Sequence, residues 1–396
     1  MQVIGIGADG WDGLAATVRD RIASATVVVG GRRHLDLLPD VPGQQRMLLP
    51  RPLREGLSDL LEQAGPDVVV LASGDPLVSG IGSTLIELLG ADAVEIHPAV
   101  SSVALACARM GWPAESCAVV SVVGRDLSRI RRELSPGRRL VVLSSDETTP
   151  AAVADLLVEV GSGGSRLTVL SDLGASGERR VEALAADWDA ESSRLNIVAI
   201  EVAGGLGYGW TAGLPDDAYE HDGQLTKRDL RASALARLAP RPGEHLWDVG
   251  AGAGSVGIEW MRTHPTCRAS AVEADPDRAA RIARNAARLG VPDLVIVHGR
   301  APEALARLAA PDAIFIGGGA TRPGVLDECL SALRPGGRLV VHGVTLETEQ
   351  LLAGAHRAHG GELTRISVET TAPVGSFTGW TPARAVTQWS FVRETP

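Results

Sequence analysis

The feature that most constrains this chain lies near its middle, where an apolar run leads into alternating glycines and then into a stretch with helical character. The sequence there is Leu246-Trp247-Asp248-Val249-Gly250-Ala251-Gly252-Ala253-Gly254-Ser255-Val256-Gly257. Glycines directly after a buried strand let the backbone turn tightly and approach a ligand more closely than a Cβ would allow. The loop therefore predicts an α/β fold with a nucleotide-like cofactor at a strand end.

Two classes of cofactor fit this loop. Residues 252–257 match the G-x-G-x-x-G pattern of dinucleotide-binding loops, while Asp248 before the glycines matches the acidic-first loop of S-adenosylmethionine enzymes. A carboxylate at Asp248 would repel a pyrophosphate but attract a ligand that carries a sulfonium and an ammonium. The sequence thus favours S-adenosylmethionine, with Asp248, Gly250, Ala251, Gly252 and Gly254 as cofactor contacts.

An acidic residue follows the next predicted strand. Glu273 comes directly after the apolar run 269–272, and 273 minus 250 places it 23 positions after the first glycine of the loop. An acid at this position can accept hydrogen bonds from both ribose hydroxyls of an adenosine ligand. Glu273 is therefore a candidate cofactor contact, although NAD would satisfy the same requirement.

Two later loops also follow predicted strands. Residues 299–303, which include Ala301, lie where an adenine pocket would close. Gly317 and Gly318 follow the next strand and are candidates to face the substrate, with an ordinary tight turn as the alternative.

The distribution of apolar runs predicts two α/β domains, which a length of 396 residues also favours. Runs that alternate with helical segments in the first half are residues 2–6, 27–29, 68–71, 119–123, 140–143, 167–170 and 197–200. A glycine-rich stretch, residues 204–213, predicts a linker. Further strands are predicted at residues 245–247, 269–272, 294–297, 313–316 and 338–341. We therefore predict domains at residues 1–203 and 214–396, the second with a doubly wound sheet.

Composition limits the classes of partner. The net charge is −10 and aromatic residues make up 3%, which argues against a surface that neutralises many phosphates or stacks on bases. An anionic small molecule remains compatible with local arginines. Lys227 is the only lysine, which a bias in composition towards arginine explains.

The four cysteines, Cys107, Cys117, Cys267 and Cys329, are far apart and form no C-x-x-C pair. The sequence therefore predicts no metal site. It also shows no basic start followed by a long apolar stretch, and no apolar run of about 18 residues. We expect no membrane segment and a cytoplasmic location.

Several motifs of the second half together resemble the precorrin methyltransferases that act at carbon 15 and decarboxylate. They are residues 214–228, 246–257, 285–286, 289–291, 317–319 and 344–349. The resemblance covers essentially the whole second half, and it implies S-adenosylmethionine contacts at Thr226, Gly250, Gly252, Gly254, Glu273 and Ala301.

The first half has three loops of small residues, at residues 5–10, 73–76 and 98–102. Each could be an ordinary turn, but together they could line one crevice. In this order they resemble the tetrapyrrole methylase family, whose members bind S-adenosylmethionine between two α/β lobes. The resemblance implies cofactor contacts at Ser73, Gly74, Asp75, Val78, Ser101 and Ser102. Val123 stands where many relatives carry histidine, while Arg125 remains and could pair with a substrate carboxylate.

Both halves in one chain resemble the fused C5,15-methyltransferase (decarboxylating) family of cobalamin biosynthesis. The resemblance implies two S-adenosylmethionine molecules per chain, a precorrin substrate and a homo-oligomer, with no nucleic-acid partner. Lys227 is interpreted as a structural or substrate-carboxylate contact rather than a Schiff-base residue, because no adjacent base or apolar pocket is evident. No catalytic residue is assigned. Two alternatives stay open: a nucleic-acid methyltransferase in the second half, and a non-catalytic scaffold in the first.

Overall fold

The computed structural model describes residues 1–65, 67–205 and 207–395. The chain divides into two compact units, of which unit 1 comprises residues 1–127 and 134–206, and unit 2 comprises residues 128–133 and 207–396. Each unit is built from strands that alternate with helices, so the predicted α/β class is confirmed. The predicted domain limits at residues 203 and 214 stay predictions.

The first lobe of unit 1 is a five-stranded, fully parallel sheet. Its strands are β1 (Gln2–Ile6), β2 (Val27–Gly30), β3 (Gln45–Leu48), β4 (Val68–Ser73) and β5 (Glu95–His97), in the spatial order β3-β2-β4-β1-β5. The associated helices are α1 (Ala16–Ser24), α2 (Arg32–Asp36), α3 (Leu53–Ala64), α4 (Ile81–Leu89) and α5 (Ser102–Met110). Val3 packs with Leu57 of α3 on one face, and Ile4 packs with Ile22 of α1 on the other. Cover on both faces explains why the inner strands β1, β2 and β4 are continuous apolar runs.

The second lobe of unit 1 is a mixed sheet. Its strands are β6 (Cys117–Ser121), β7 (Arg139–Leu143), β8 (Arg166–Ser171), β9 (Arg179–Leu184) and β10 (Asn196–Glu201), in the order β6-β7-β10-β8-β9, and its helix is α6 (Thr149–Glu159). Only the pair β6 and β7 is parallel in this sheet. Ala106 and Cys107 of α5 pack on the sheet against Val141 and Ile197. Unit 1 therefore has the two α/β lobes that the family resemblance implied.

Unit 2 is a seven-stranded sheet whose order reverses at its centre. Its elements are α7 (Arg228–Leu238), β11 (His245–Val249), α8 (Ser255–Thr263), β12 (Arg268–Glu273), α9 (Pro276–Arg288), β13 (Val295–His298), β14 (Ala313–Ile316), α10 (Val325–Ala332), β15 (Arg338–Gly343), α11 (Leu346–His359), β16 (Glu362–Ile366), β17 (Glu369–Val374), β18 (Phe377–Pro382) and β19 (Val386–Val392). The spatial order is β13-β12-β11-β14-β15-β19-β16, and β19 runs antiparallel to both of its neighbours. Strands β17 and β18 form a separate hairpin. The order reverses between β11 and β14, which is where ligands bind in open α/β sheets.

Most predicted strands coincide with observed ones, with two differences. The strand predicted at residues 119–123 lies two residues too far towards the C-terminus, because β6 begins at Cys117 and ends at Ser121. The seven strands β3, β5, β9 and β16 to β19 were not predicted individually. In the parts of the chain that the structure describes, no helix is long and apolar enough to cross a membrane.

Candidate cofactor sites

The glycine loop of unit 2 lies at the reversal point of the sheet. The amides of Gly250 and Ala251 donate to the Val272 carbonyl at the end of β12, at 2.9 and 3.1 Å. On the other side of β11, the Gly317 amide donates to the Val249 carbonyl at 2.9 Å. The loops after β11, β12 and β14 therefore meet at one edge, as expected for the carboxyl ends of adjacent parallel strands.

Two glycines of this loop leave no room for a side chain. Gly250 has φ +67°, and a Cβ built on it would lie 2.7 Å from the Gly318 carbonyl oxygen. Gly252 has φ +59°, and its Cβ would lie 2.7 Å from the Gln224 carbonyl oxygen. Only glycine fits such positions without displacing the neighbouring backbone. The loop is thus a bare-backbone cradle of the kind that a nucleotide-like ligand needs.

Glu273 lies beside the cradle, at the end of β12, and is 6% exposed. One carboxylate oxygen accepts from the Gly252 amide at 2.8 Å, and the other accepts from the Asp275 amide at 3.0 Å. A carboxylate offers about four acceptor positions. Glu273 can therefore hold the loop and still accept hydrogen bonds from ribose hydroxyls, so the residues present fit an adenosyl cofactor.

Asp248 occupies a more enclosed position than the sequence indicated. It is 1% exposed, its Oδ2 accepts from the Gly257 amide at 2.9 Å, and its Oδ1 has no hydrogen-bond partner in the described chain. The carboxyl therefore fastens the start of α8 beneath the loop. Attraction of a cationic ligand by Asp248 stays a prediction, which the unpartnered oxygen supports.

The environment of Asp248 leads to a pH-dependent prediction. Burial raises the pKa of Asp248 to about 7, the Gly257 hydrogen bond opposes this, and the charge of Glu273 adds to it. Because this pKa exceeds the unfolded value of 3.8, the stability that the carboxyl contributes is complete below about pH 4 and is lost as the pH rises through about 7.

We expect Asp248→Asn to abolish this dependence. Between pH 5 and 6 the free energy of unfolding of the wild-type chain should fall, relative to the variant, by about 1.4 kcal/mol per pH unit. Urea titrations from pH 5 to 8 on both chains measure the difference, in which the other titrating groups cancel. The exposed Asp327 of α10 provides the control Asp327→Asn. If the free energies of unfolding of the wild-type and Asp248→Asn chains change with pH in parallel, the raised pKa of Asp248 is contradicted.

The segment that carries Thr226 is held by a buried ion pair which sequence reasoning missed. Arg231 of α7 is 0% exposed, and its Nε donates to Oε1 of Glu259 in α8 at 2.5 Å. Its guanidinium also donates to the carbonyls of Thr226 and Leu214. Glu259 further accepts from Tyr219 Oη and the Leu214 amide, both at 2.9 Å. The signal in the sequence was an acid at position 259 inside the apolar run 256–261.

Asn285 of α9 joins the same segment to the glycine loop. It is fully buried, its Oδ1 accepts from the Glu220 amide at 2.8 Å, and its Nδ2 donates to the carbonyls of Glu220 and Ala253, both at 3.0 Å. Asn285 belongs to the motifs that carried the resemblance but was not proposed as a site residue. It places residues 220–226 against the cradle.

The remaining predicted site residues of unit 2 lie at different distances from the glycine loop. Lys227 is exposed and pairs with Asp216 at 3.5 Å. Gly318 lies directly against Gly250, as described above. Ala301 follows β13 and packs against the apolar core. The structure thus joins the loops of Gly250 and Gly318, whereas Ala301 lies on the far side of β12 along the sheet.

In unit 1 the predicted loops converge. The Gly74 amide donates to the Ile6 carbonyl at 3.0 Å, and the Ala99 amide donates to the Gly74 carbonyl at 3.3 Å. A Cβ on Gly74 would lie 3.3 Å from Cα of Ser101, which places the loops of residues 73–76 and 98–102 side by side. The loops therefore adjoin at the carboxyl edge of the first sheet, and their role as the lining of a cofactor crevice stays a prediction.

Polar side chains in these loops also accept hydrogen bonds from nearby backbone amides. Asp75 accepts from the Leu77 amide at 2.8 Å, and Ser101 caps α5 by accepting from the Ala104 amide at 3.1 Å. Ser102 begins that helix, and Val78 is 36% exposed. Both loops therefore present mainly backbone to a ligand, and their role in cofactor binding stays a prediction.

Arg125 lies beyond the end of β6 and is exposed. Its amide donates to the Val122 carbonyl at 3.0 Å, and the neighbouring Val123 is 50% exposed. Within the described residues, no hydrogen bond or ion pair joins the Arg125 side chain to the loops at residues 73–76 and 98–102. Arg33 and His34, which do contact Ser73, were missed by sequence reasoning.

Comparison with known proteins identifies both halves. Residues 2–189 match the tetrapyrrole (corrin/porphyrin) methylase family, and residues 217–393 match the precorrin methyltransferase domain family. A precorrin-6Y C(5,15)-methyltransferase [decarboxylating] of Sinorhizobium sp is 47% identical over 99% of this chain and 96% of its own length. The protein of the same name from Mycobacterium tuberculosis (strain CDC 1551 / Oshkosh) is 45% identical over 99% of both chains.

A solved structure, the C-terminal domain of precorrin-6Y C5,15-methyltransferase from Rhodobacter capsulatus, is 44% identical with a TM-score of 0.45, and covers 47% of this chain and all of its own. The near-full-length relatives confirm the family that the sequence motifs predicted. The chain belongs to the precorrin-6Y C5,15-methyltransferase (decarboxylating) family of S-adenosylmethionine-dependent methyltransferases.

Proposed function

We propose that this chain methylates a precorrin macrocycle at carbons 5 and 15 and removes carbon dioxide from the ring C acetate, with one S-adenosylmethionine site in each unit. The observation that carries the proposal is the pair of bare-backbone loop clusters, one in each unit at the carboxyl ends of parallel strands. Unit 1 is assigned to carbon 5, and unit 2 to carbon 15 and decarboxylation. The two halves match two different methyltransferase families, which supports one methylation for each unit.

In unit 2, the residues proposed to hold the cofactor are Thr226, Asp248, Glu273, Ala301 and the loop at residues 250–254. S-adenosylmethionine supplies, when bound, an activated methyl group for a nucleophilic carbon. The contribution of the protein is to align that carbon and exclude water, and good positioning supplies on the order of 7–11 kcal/mol. No dedicated base is required of the chain, which agrees with the lack of an obvious nucleophile–histidine–acid set.

Substrate contacts are proposed at Gly317 and Gly318, which border the cradle, and at Arg125 and Lys227. Arg125 is exposed, and Lys227, whose side chain is 52% exposed, pairs with Asp216. Exposed ion pairs contribute little, so a substrate carboxylate can compete for Lys227. For decarboxylation, the conjugated imine system of the macrocycle serves as the electron sink.

We further propose a homo-oligomer. The hairpin of β17 and β18 carries exposed apolar side chains, with Phe377 79% and Trp380 70% exposed, which is typical of a surface that a second copy covers. The net charge of −10 and the low aromatic content favour a small-molecule substrate over nucleic acid. A cytoplasmic location stays the prediction from the sequence.

Calorimetric titration of the full chain with S-adenosylhomocysteine tests the central proposal. We expect two molecules bound per chain, because each unit has its own loop cluster. Mass spectrometry of the products formed from precorrin-6B should show two added methyl groups and the loss of one carbon dioxide, and a parallel assay with the cobalt form reports the metal preference. A single bound molecule together with a single methylation would support a scaffold role for unit 1 instead.

A further inference from the structure

Three polar side chains meet at the carboxyl edge of the first sheet. Arg33 and His34 lie in α2, directly after β2, and Ser73 ends β4. Strands β2 and β4 are parallel neighbours, so their carboxyl ends adjoin. Arg33 Nη2 lies 2.9 Å and His34 Nε2 lies 2.8 Å from Ser73 Oγ, and the two nitrogens are 3.0 Å apart. The three groups therefore form one closed cluster.

The chemistry of the cluster assigns its hydrogen bonds. A guanidinium can only donate, so His34 Nε2 is an acceptor and Ser73 Oγ–H donates to it, while Arg33 donates to Ser73 Oγ. Burial and, to a smaller extent, the charge of Arg33 together lower the pKa of His34 to about 4. The imidazole is therefore neutral at neutral pH. The cluster carries one positive charge, that of Arg33, whose orientation the other two side chains hold.

The charge of Arg33 has no carboxylate partner close to it. Within the described residues, no acid lies within 4 Å of its guanidinium, and its Nε and Nη1 make no hydrogen bond. Burial lowers the pKa of Arg33, although the more distant Asp172, after β8, raises it. A half-buried guanidinium with free donors is suited to bind a carboxylate through two parallel hydrogen bonds.

We propose that Arg33, oriented by Ser73 and His34, is a carboxylate-binding site of unit 1. The inference rests on the proposed cofactor site of that unit, because Ser73 belongs to both. Two sources supply the same chemistry there: the methionyl carboxylate of S-adenosylmethionine, and an acidic side chain of the macrocycle. No other described cluster in unit 1 combines an unpaired, half-buried guanidinium with a predicted cofactor loop.

The test compares the full-length Arg33→Gln chain with wild type. Arg32 precedes Arg33 in the same helix and is exposed, so Arg32→Gln is the matched control. Arg33→Lys keeps the charge without the planar fork and should recover part of the loss. Each chain is titrated with S-adenosylhomocysteine and with 5′-methylthioadenosine, which lacks the carboxylate, and KM and kcat for carbon 5 methylation are measured. Circular dichroism checks that each chain is folded.

If the cofactor supplies the carboxylate, Arg33→Gln should weaken S-adenosylhomocysteine about tenfold or more at one of two sites and leave 5′-methylthioadenosine unchanged. If the macrocycle supplies it, both ligands should bind as in wild type while KM rises about tenfold at nearly constant kcat. The inference is overturned if Arg33→Gln matches Arg32→Gln in all of these measurements, or if both ligands weaken equally.

A further variant separates ligand binding from a contact within the protein. If Arg33 acts by attracting Asp172, Asp172→Asn should reproduce the loss, and this result would also overturn the inference. If Arg33 binds a carboxylate, Asp172→Asn should leave the affinity unchanged or increase it, because a repelling charge is removed. A wild-type chain that binds one S-adenosylhomocysteine and lacks carbon 5 methylation contradicts the proposed function itself. A wild-type chain that binds two, with an Arg33→Gln chain that behaves as Arg32→Gln, overturns only the inference about Arg33.

Discussion

Replacing Glu259 by alanine is expected to lower the free energy of unfolding of unit 2 by about 3–5 kcal/mol, because it leaves the fully buried Arg231 without its counter-charge. The same change removes the acceptor of the Gly213 and Leu214 amides, at 2.6 and 2.9 Å, and of the Tyr219 hydroxyl. Burial raises the pKa of Tyr219 and Glu259 raises it further, so this phenol stays protonated and depends on its acceptor.

Urea denaturation of the full chain, followed by signals from both units, measures this loss. The control is Glu328→Ala in α10, where an exposed acid is removed from a helix of the same unit. A double replacement of Arg231 and Glu259 by methionine should cost less than the sum of the two single replacements, since no buried charge is left unpaired. Equal stability of the Glu259→Ala and Glu328→Ala chains would contradict the role assigned to the pair.

The second large effect is expected from adding two methyl groups to the cradle of unit 2. In the double variant Gly250→Ala and Gly252→Ala, each Cβ would lie 2.7 Å from a backbone carbonyl oxygen, at positions with φ +67° and +59°. Backbone atoms cannot rotate away, so the loop must move and the ligand surface is lost. We expect binding of S-adenosylhomocysteine to fall from two molecules per chain to one, and carbon 15 methylation to be abolished.

The matched control is Gly354→Ala. Gly354 lies in α11, is exposed, and has no heavy atom within 4 Å of a built Cβ. Alanine favours a helix over glycine, so this chain should bind two ligand molecules and be slightly more stable than wild type. Carbon 5 methylation should persist in the double variant, and its loss together with carbon 15 methylation would show that the change unfolds the chain or couples the two units.

The buried strands could be predicted from the sequence because a parallel strand covered on both faces is a short continuous apolar run. The run at residues 68–71, for instance, lies within β4, which is parallel to both of its neighbours. Strands β16 to β18 could not be found this way. They are largely exposed, and β16 pairs with β19, which lies about 25 residues further along the chain. Nothing local to Glu362–Ile366 predicts that partner.

The proximity of the glycine loop and Glu273 was predictable, because both follow strands whose carboxyl ends meet at one edge. The hydrogen bond from the Gly252 amide to Glu273 shows that proximity. The groups that position the loops were not predictable. Arg231 and Glu259 are 28 residues apart, and Arg33 and Ser73 are 40 apart. Such pairs depend on tertiary packing of separate helices and strands, which periodicity does not report.

The buried arginines of unit 2 offer a structural reason for the excess of arginine over lysine, in addition to a bias in composition. The chain has 38 lysine and arginine residues, of which only Lys227 is lysine, and a general bias would allow exchange between the two types at any position. Arg262 donates to the carbonyls of Leu289, Tyr208 and Gly209, and Arg338 donates to those of Leu238 and Ala239 and to Glu244.

The ammonium group of lysine is a single compact donor group. It cannot donate at the same time to acceptors that are spread around the edge of a planar guanidinium. Together with Arg231, these positions accept arginine for its shape as well as for its charge. In evolutionary terms, the exposed arginines of the chain can be replaced by lysine. The three buried arginines cannot, whatever the base composition of the genome that encodes them.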